Sequence, residues 1–210
     1  MLYTFTKTND VINGNLAVNS PDNLAFIYET IALSEQADVK IENAGDEILS
    51  ALFGSIGVQT SFSESSVHLS KKEADVSKAL IKDFSGCPQF AVPFAIVCAA
   101  KGILADLKGL ERLTKENGTD SISFFQKEMY RFNINTDFCD YSKLKIYNNK
   151  EMKTKTKPVN LAAFDFLNIP FIPLAMLFGK IEIEMSADFE EKNTELFSLL
   201  PALNLKFEKH

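Results

Sequence analysis

Through the first 115 residues most apolar positions fall at helical spacing. Ser20-Pro21-Asp22 has the form of a helix start, with serine at the N-cap and proline at the first helical position. Leu24, Ile27, Tyr28 and Ile31 follow three and four residues apart, which predicts an amphipathic helix to about Ser34. Ser70 and Glu73 have the spacing of a capping box, and Val76, Ala79, Leu80 and Phe84 supply a stripe for the helix behind it. A long helix is predicted over 89–115. It is apolar on every side from Phe90 to Ala100, then alternates Leu with Lys, Asp and Glu, and Asn117-Gly118 suits its C-cap. Residues 2–5, and Val39 with Ile41, read as short strands, and 63–70 as a polar loop.

Beyond 115 the period changes to two. Tyr130, Phe132 and Ile134 alternate with Arg131 and Asn133, Leu144 and Ile146 with Lys143 and Lys145, and Lys153, Lys155 and Lys157 with threonines. Ile181, Ile183, Met185, Ala187 and Phe189 share one face against Glu182, Glu184, Ser186 and Asp188, the pattern of a half-buried strand. Leu203, Leu205 and Phe207 close in the same style. The predicted class is α+β, with helices mainly in the N-terminal half packed on an antiparallel β-sheet from the C-terminal half. Residues 1–80 form a helix-rich region and 81–210 a domain of one long helix and an antiparallel sheet. Leu52-Phe53-Gly54-Ser55-Ile56 echoes Leu177-Phe178-Gly179-Lys180-Ile181, but no repeat is read through the chain.

Two stretches carry a family resemblance. The run Phe90–Leu107 (FAVPFAIVCAAKGILADL) resembles the opening helix of the bacterial domain of unknown function 2589, in which an "I-x-x-P-L" start leads into a small-residue helix. Val159–Leu174 (VNLAAFDFLNIPFIPL), with the alternation after it, is similar to that family's "V-P-L-L-x-L-x-x-I-P-x-L" stretch and the strand behind it. The likeness covers 82–191. It departs from the pattern at Pro158, where the proline precedes the valine, and at Pro173, a second proline. The resemblance implies a helix on an antiparallel sheet and carries over no site residue.

Composition narrows the function classes. The 18 Phe and the absence of Trp predict a core filled by rings without a polar handle. A net charge of −6 disfavours nucleic acid as a partner. Three cysteines, Cys87, Cys98 and Cys139, form no CxxC pair, and the N-terminal ten residues lack the order of a secretory leader, so the cytoplasm is the expected compartment. His68 and His210 have no triad or zinc spacing around them, and no phosphate-binding glycine motif is present, so no catalytic, cofactor-binding or metal residue is assigned. The group Glu182, Glu184, Asp188, Glu190 and Glu191 reads as a solvated face rather than a calcium site. Lys143, Lys145, Lys150, Lys153, Lys155 and Lys157 read as protection of an edge strand or hairpin. Cys87–Leu107 and Val159–Gly179 approach the length of a membrane span but carry Lys101, Asp106, Asp165 and two prolines.

The expectation is therefore not an enzyme but a structural or assembly protein associating with itself or another protein. The alternative is a module for an apolar ligand or peripheral membrane surface, with lipid contact possible. An enzyme using carboxylates alone would need a cleft with carboxyl groups of perturbed pKa.

Overall fold

The computed structural model describes residues 1–42, 45–74, 79–113, 119–140, 142–147, 151–153, 157–160 and 165–210. Helices and strands are mixed along the whole length, and the strands form three small four-stranded sheets. The first sheet takes β2 (Val11–Ala17), β3 (Gln36–Glu42), β4 (Val58–Phe62) and β5 (Ser66–Lys71), with α1 (Pro21–Leu33) between β2 and β3 and α2 (Glu47–Gly54) between β3 and β4. The second takes β6 (Leu80–Asp83), β7 (Ala105–Lys108), β8 (Thr136–Cys139) and β9 (Lys143–Ile146), with α3 (Ala91–Ala100) and α4 (Thr119–Arg131) in the same places. In each, the first two strands are parallel neighbours, and the order across the sheet is first, second, fourth, third.

The third sheet repeats this plan with one exchange. β10 (Val159–Asn160) lies parallel to β11 (Lys180–Glu184), with α5 (Asp165–Asn168) and α6 (Leu174–Phe178) between them. After α7 (Phe189–Lys192) and α8 (Thr194–Leu199) comes β12 (Leu205–Lys209). The place of the remaining strand is taken by β1 (Leu2–Lys7), antiparallel to β11 on one side and β12 on the other. The chain is thus three copies of one unit, a repeat that the sequence reading missed. The Leu-Phe-Gly echo does not mark it, because it falls at the end of α2 in one unit and at the end of α6, a first helix, in another.

The expected segregation of helices and strands is corrected accordingly. The helix predicted over 89–115 is one 3₁₀ turn (Pro88–Phe90) and α3, which stops at Lys101-Gly102 where glycine takes φ +66°. The Leu/Lys/Asp alternation after it is β7, bonded between β6 and β9. Residues 66–71 are a strand rather than a loop. Of the helix predicted behind Ser70, 80–83 are strand and 75–78 lie outside the described residues. Tyr130 and Phe132 lie at the end of α4 and the turn after it, not in a strand. The stretch 165–178 is a succession of helical turns. The alternation at 181–189 is strand only to Glu184, and Phe189 opens α7. Lys143 and Lys145 sit on β9, a hairpin strand interior to its sheet, where Lys145 faces Asp106 and Asp137 in register. Lys150 and Lys155 lie outside the described residues.

The first helices of the three units hold the units together. α1 packs on α3 and α6, and α3 on the 3₁₀ turn Ile169–Phe171. Every residue from Leu24 to Leu33 and from Ala91 to Ala99 is buried, so these helices have no solvent face. Phenylalanines tie the units in pairs: Phe94 meets Phe53 at 6.1 Å and Phe84 at 5.5 Å between ring centres, and Phe171 meets Phe125 at 6.0 Å and Phe132 at 5.7 Å. Among the described residues no helix is long and apolar enough to cross a membrane.

Phe94→Ala, which empties the junction of the first two units, is expected to cost about 3–5 kcal/mol in denaturant unfolding. Tyr130→Ser, at a position 70% exposed, is expected to change stability by less than about 0.5 kcal/mol.

Candidate functional site

The three first helices begin on the same side. The start of α1 is fixed by Ser20, whose hydroxyl accepts from the Asp22 amide at 3.2 Å. α3 begins behind the turn Pro88–Phe90, and α6 behind Ile169–Phe171. Asp22, the prolines and ring of Pro88, Phe90 and Pro170, and Ile169 surround one cavity of about 170 Å³. Phe26, Val92, Leu113 and Leu167 contribute apolar lining, and Gln89, Arg112 and Glu29 are also among the lining residues, the two Glu29 carboxyl oxygens being shut away from solvent. A space of this size takes a six-membered ring rather than an acyl chain, since a cavity of about 150 Å³ holds benzene.

The electrostatics of the surroundings favour an anion. Unbonded amides and the helix dipole give a helix start a partial positive charge, and α1 and α3 are long enough to develop it. Arg112, in the segment after β7, adds a positive charge to the lining, and Asp22 in the first turn of α1 a negative one. The opposite end of α1 is covered by a cation: the Lys71 ammonium donates to the Ile31 and Ala32 carbonyls. Lys101, the C-cap residue of α3, donates to Ile56 O, behind α2, at 2.6 Å. Burial, together with the neighbouring Lys101 charge, brings the Lys71 pKa down to about 7.

Glu29 is the unusual group. It sits two turns into α1, is 1% exposed, and neither carboxyl oxygen has a hydrogen-bond partner. Burial alone pushes its pKa well above the ordinary carboxylate range. Glu29 lines the cavity, as does Asp22 from the first turn of the same helix.

None of these residues is assigned from the sequence: Glu29 lies unmarked inside the helix predicted to Ser34, and Arg112 inside a predicted helix that does not extend so far. A signal was present: Glu29 is the single charged residue between Leu24 and Leu33. The residues weighed from the sequence are elsewhere. His68 is on β5, with Nε2 2.6 Å from Asp38 Oδ1, and the His210 amide donates to Leu2 O at the end of the third sheet. The carboxylates of 182–191 are spread over ion pairs: Glu182 with Lys180 at 2.7 Å, Asp188 with Lys192 at 2.6 Å and Glu190 with Lys209 at 3.6 Å. Among the described residues no group of three His, Cys, Asp or Glu could hold a metal ion. Cys98 is fully buried and its thiol pKa is raised by desolvation.

No family model matches the chain. It is 27% identical over 167 residues to 3-phosphoshikimate 1-carboxyvinyltransferase of Bacteroides fragilis strain ATCC 25285, a match covering 76% of this chain and 40% of the relative. The enzyme of the same name from strain YCH46 is 30% identical over 111 residues, which cover 50% and 27%. Two structures of EPSP synthase from Acinetobacter baumannii superpose with TM-scores of 0.60 and 0.61 at 13% and 14% identity. They cover 90% of this chain and 47% and 46% of theirs. The chain therefore spans less than half the length of the proteins it matches, and shares the fold of that half. Its relatives in sequence and in fold are enzymes. That overturns the expectation of a non-catalytic structural or assembly protein, and with it the expectation that the chain is not enzyme-related. The sequence reading looked for histidine, cysteine and glycine motifs, and a site assembled from helix starts leaves none of these.

Two of the buried titrating groups, Glu29 and Lys71, make opposite demands on stability. Between the ordinary carboxyl pKa of 4.5 and its own raised value, folded Glu29 keeps a proton that the unfolded chain has released, so stability falls as pH rises through that window. Between about 7 and 10.5 the unfolded chain holds the proton that folded Lys71 has lost, so stability rises with pH. Urea midpoints measured from pH 4.5 to 10 are expected to lose the first slope in Glu29→Leu and the second in Lys71→Met.

Proposed function

We propose that the protein acts in carboxyvinyl transfer, with this chain forming one wall of a site for a small phosphorylated substrate. The observation that carries this reading is that the starts of α1 and α3, with the turn Ile169–Phe171 and Arg112, border one ring-sized cavity. Likeness to enzymes named for 3-phosphoshikimate supports the substrate class. The helix starts and Arg112 draw the phosphate, and the Phe26, Val92 and Leu167 surfaces take the body of the ring. Proteins of this name are more than twice as long as the matched region, so the reading assigns this chain a share of the site and not the whole of it.

Isothermal titration with 3-phosphoshikimate is expected to show binding at least tenfold tighter than with shikimate, which lacks the phosphate. Arg112→Ala is expected to remove most of that difference. Absence of heat with either compound would overturn the reading.

A further inference from the structure

Two lysines meet at the ends of α1 and α3. Lys71, the last residue of β5, and Lys101, which follows α3, are both half-buried and line one open hollow of about 480 Å³. Their amino groups are within hydrogen-bonding reach of each other. Each is fixed by backbone oxygen: Lys71 Nζ donates to the Ile31 and Ala32 carbonyls, Lys101 Nζ to Ile56 O. Gly57 makes the room, because a Cβ there would stand 2.5 Å from Lys101 Nζ. Two ammonium groups have donors and no acceptor, so this contact favours the loss of one proton. Burial takes it from Lys71, whose pKa of about 7 leaves a free amine in a large share of molecules at neutral pH. Glu35 and Glu73 line the hollow as exposed side chains, and among the described residues neither forms an ion pair with Lys71 or Lys101.

We propose that Lys71 is a site for carbon dioxide, its amine adding to CO2 to form a carbamate that pairs with the Lys101 ammonium. The nitrogen lone pair forms the N–C bond as one C=O π bond opens onto oxygen, and the displaced N–H proton leaves to solvent. One amine and one CO2 thus give one carbamate and one proton, with no further reactant. The surroundings select CO2 among electrophiles. Besides the two lysines the hollow is lined by Glu35, Lys72, Glu73 and Ala74, with no large apolar side chain to hold a bulkier acyl or carbonyl compound. Adding CO2 also turns a like-charge contact into an ion pair, since the new carboxylate forms beside the cation that faced the amine. Lys72 brings a second positive charge to the rim, and Cys98, a buried thiol, faces Lys101 from α3. This site shares no residue with the cavity at the start of α1 and does not depend on what binds there.

The test is peptide mass spectrometry of protein held in carbon-13 bicarbonate at pH 7.5 and trapped with triethyloxonium ion, which fixes carbamates as ethyl esters. Label at Lys71 is expected to exceed that at Lys206, whose side chain is 56% exposed, by about tenfold or more, since an ordinary lysine amine is almost wholly protonated at that pH. α-Amino groups also form carbamates, so Met1 is read in its own peptide. Lys101→Met removes both the charge that drives the proton from Lys71 and the cation that receives the product, and is expected to lose about nine-tenths of the label. Lys72→Met, at the exposed rim, is expected to keep most of it. Label at Lys71 no higher than at Lys206, or undiminished in Lys101→Met, overturns the proposal. So does a loss in Lys72→Met as large as in Lys101→Met, because the carbamate would then not pair with Lys101. The comparison of Lys71 with Lys206 is made within the wild-type protein, so it decides the matter even where Lys101→Met folds poorly.

Discussion

Mutual burial of three helices is the constraint from which the arrangement follows. α1, α3 and the turns from Ile169 to Phe178 bury one another so completely that none keeps a polar side, and each is joined by short connections to a parallel pair of strands. Once those helices are fixed, each sheet can cover them only from outside. The helix starts must then emerge together on one side and their ends on another. The asymmetry of the electrostatics follows from this: Lys71 covers the negative end of α1, while the positive ends of α1 and α3 border the cavity.

Within so apolar an assembly a carboxyl group is an anomaly that needs a reason. Leu24 to Leu33 would pack as well with a hydrophobic residue at position 29, and the folded state would gain by it. An unmatched acid kept at such a position fits the general rule that departures from consistent packing gather where function resides.

Local features of the fold were legible in the sequence, and contextual ones were not. Ser20-Pro21 marks a helix start because capping involves three neighbouring residues, and the alternation at Ile181 and Ile183 marks a strand because its register is set within five. The end of α3 was missed. A single glycine inside a helical pattern is tolerated, and the strand that follows Gly102 is identified by β6 and β9, which pair with it from elsewhere in the chain. Tyr130 and Phe132 imitate a strand because a helix end followed by a left-handed residue, Asn133, places two rings at alternate positions. The site was missed for the same reason as the repeat. Both consist of equivalent positions in three units with almost no residue in common, and periodicity within one segment does not register correspondence between segments.

The position of β1 has a consequence for the order of assembly. The first two sheets close through strands no more than about 70 residues apart, whereas β1 pairs with β11 and β12 across nearly the whole chain. Closing so long a loop is entropically costly and slow relative to local pairing. During synthesis β1 must therefore wait, with Tyr3 and Phe5 uncovered, until β11 and β12 have left the ribosome. Its exposed edge makes the third sheet the slowest of the three to form and the one most open to mispairing.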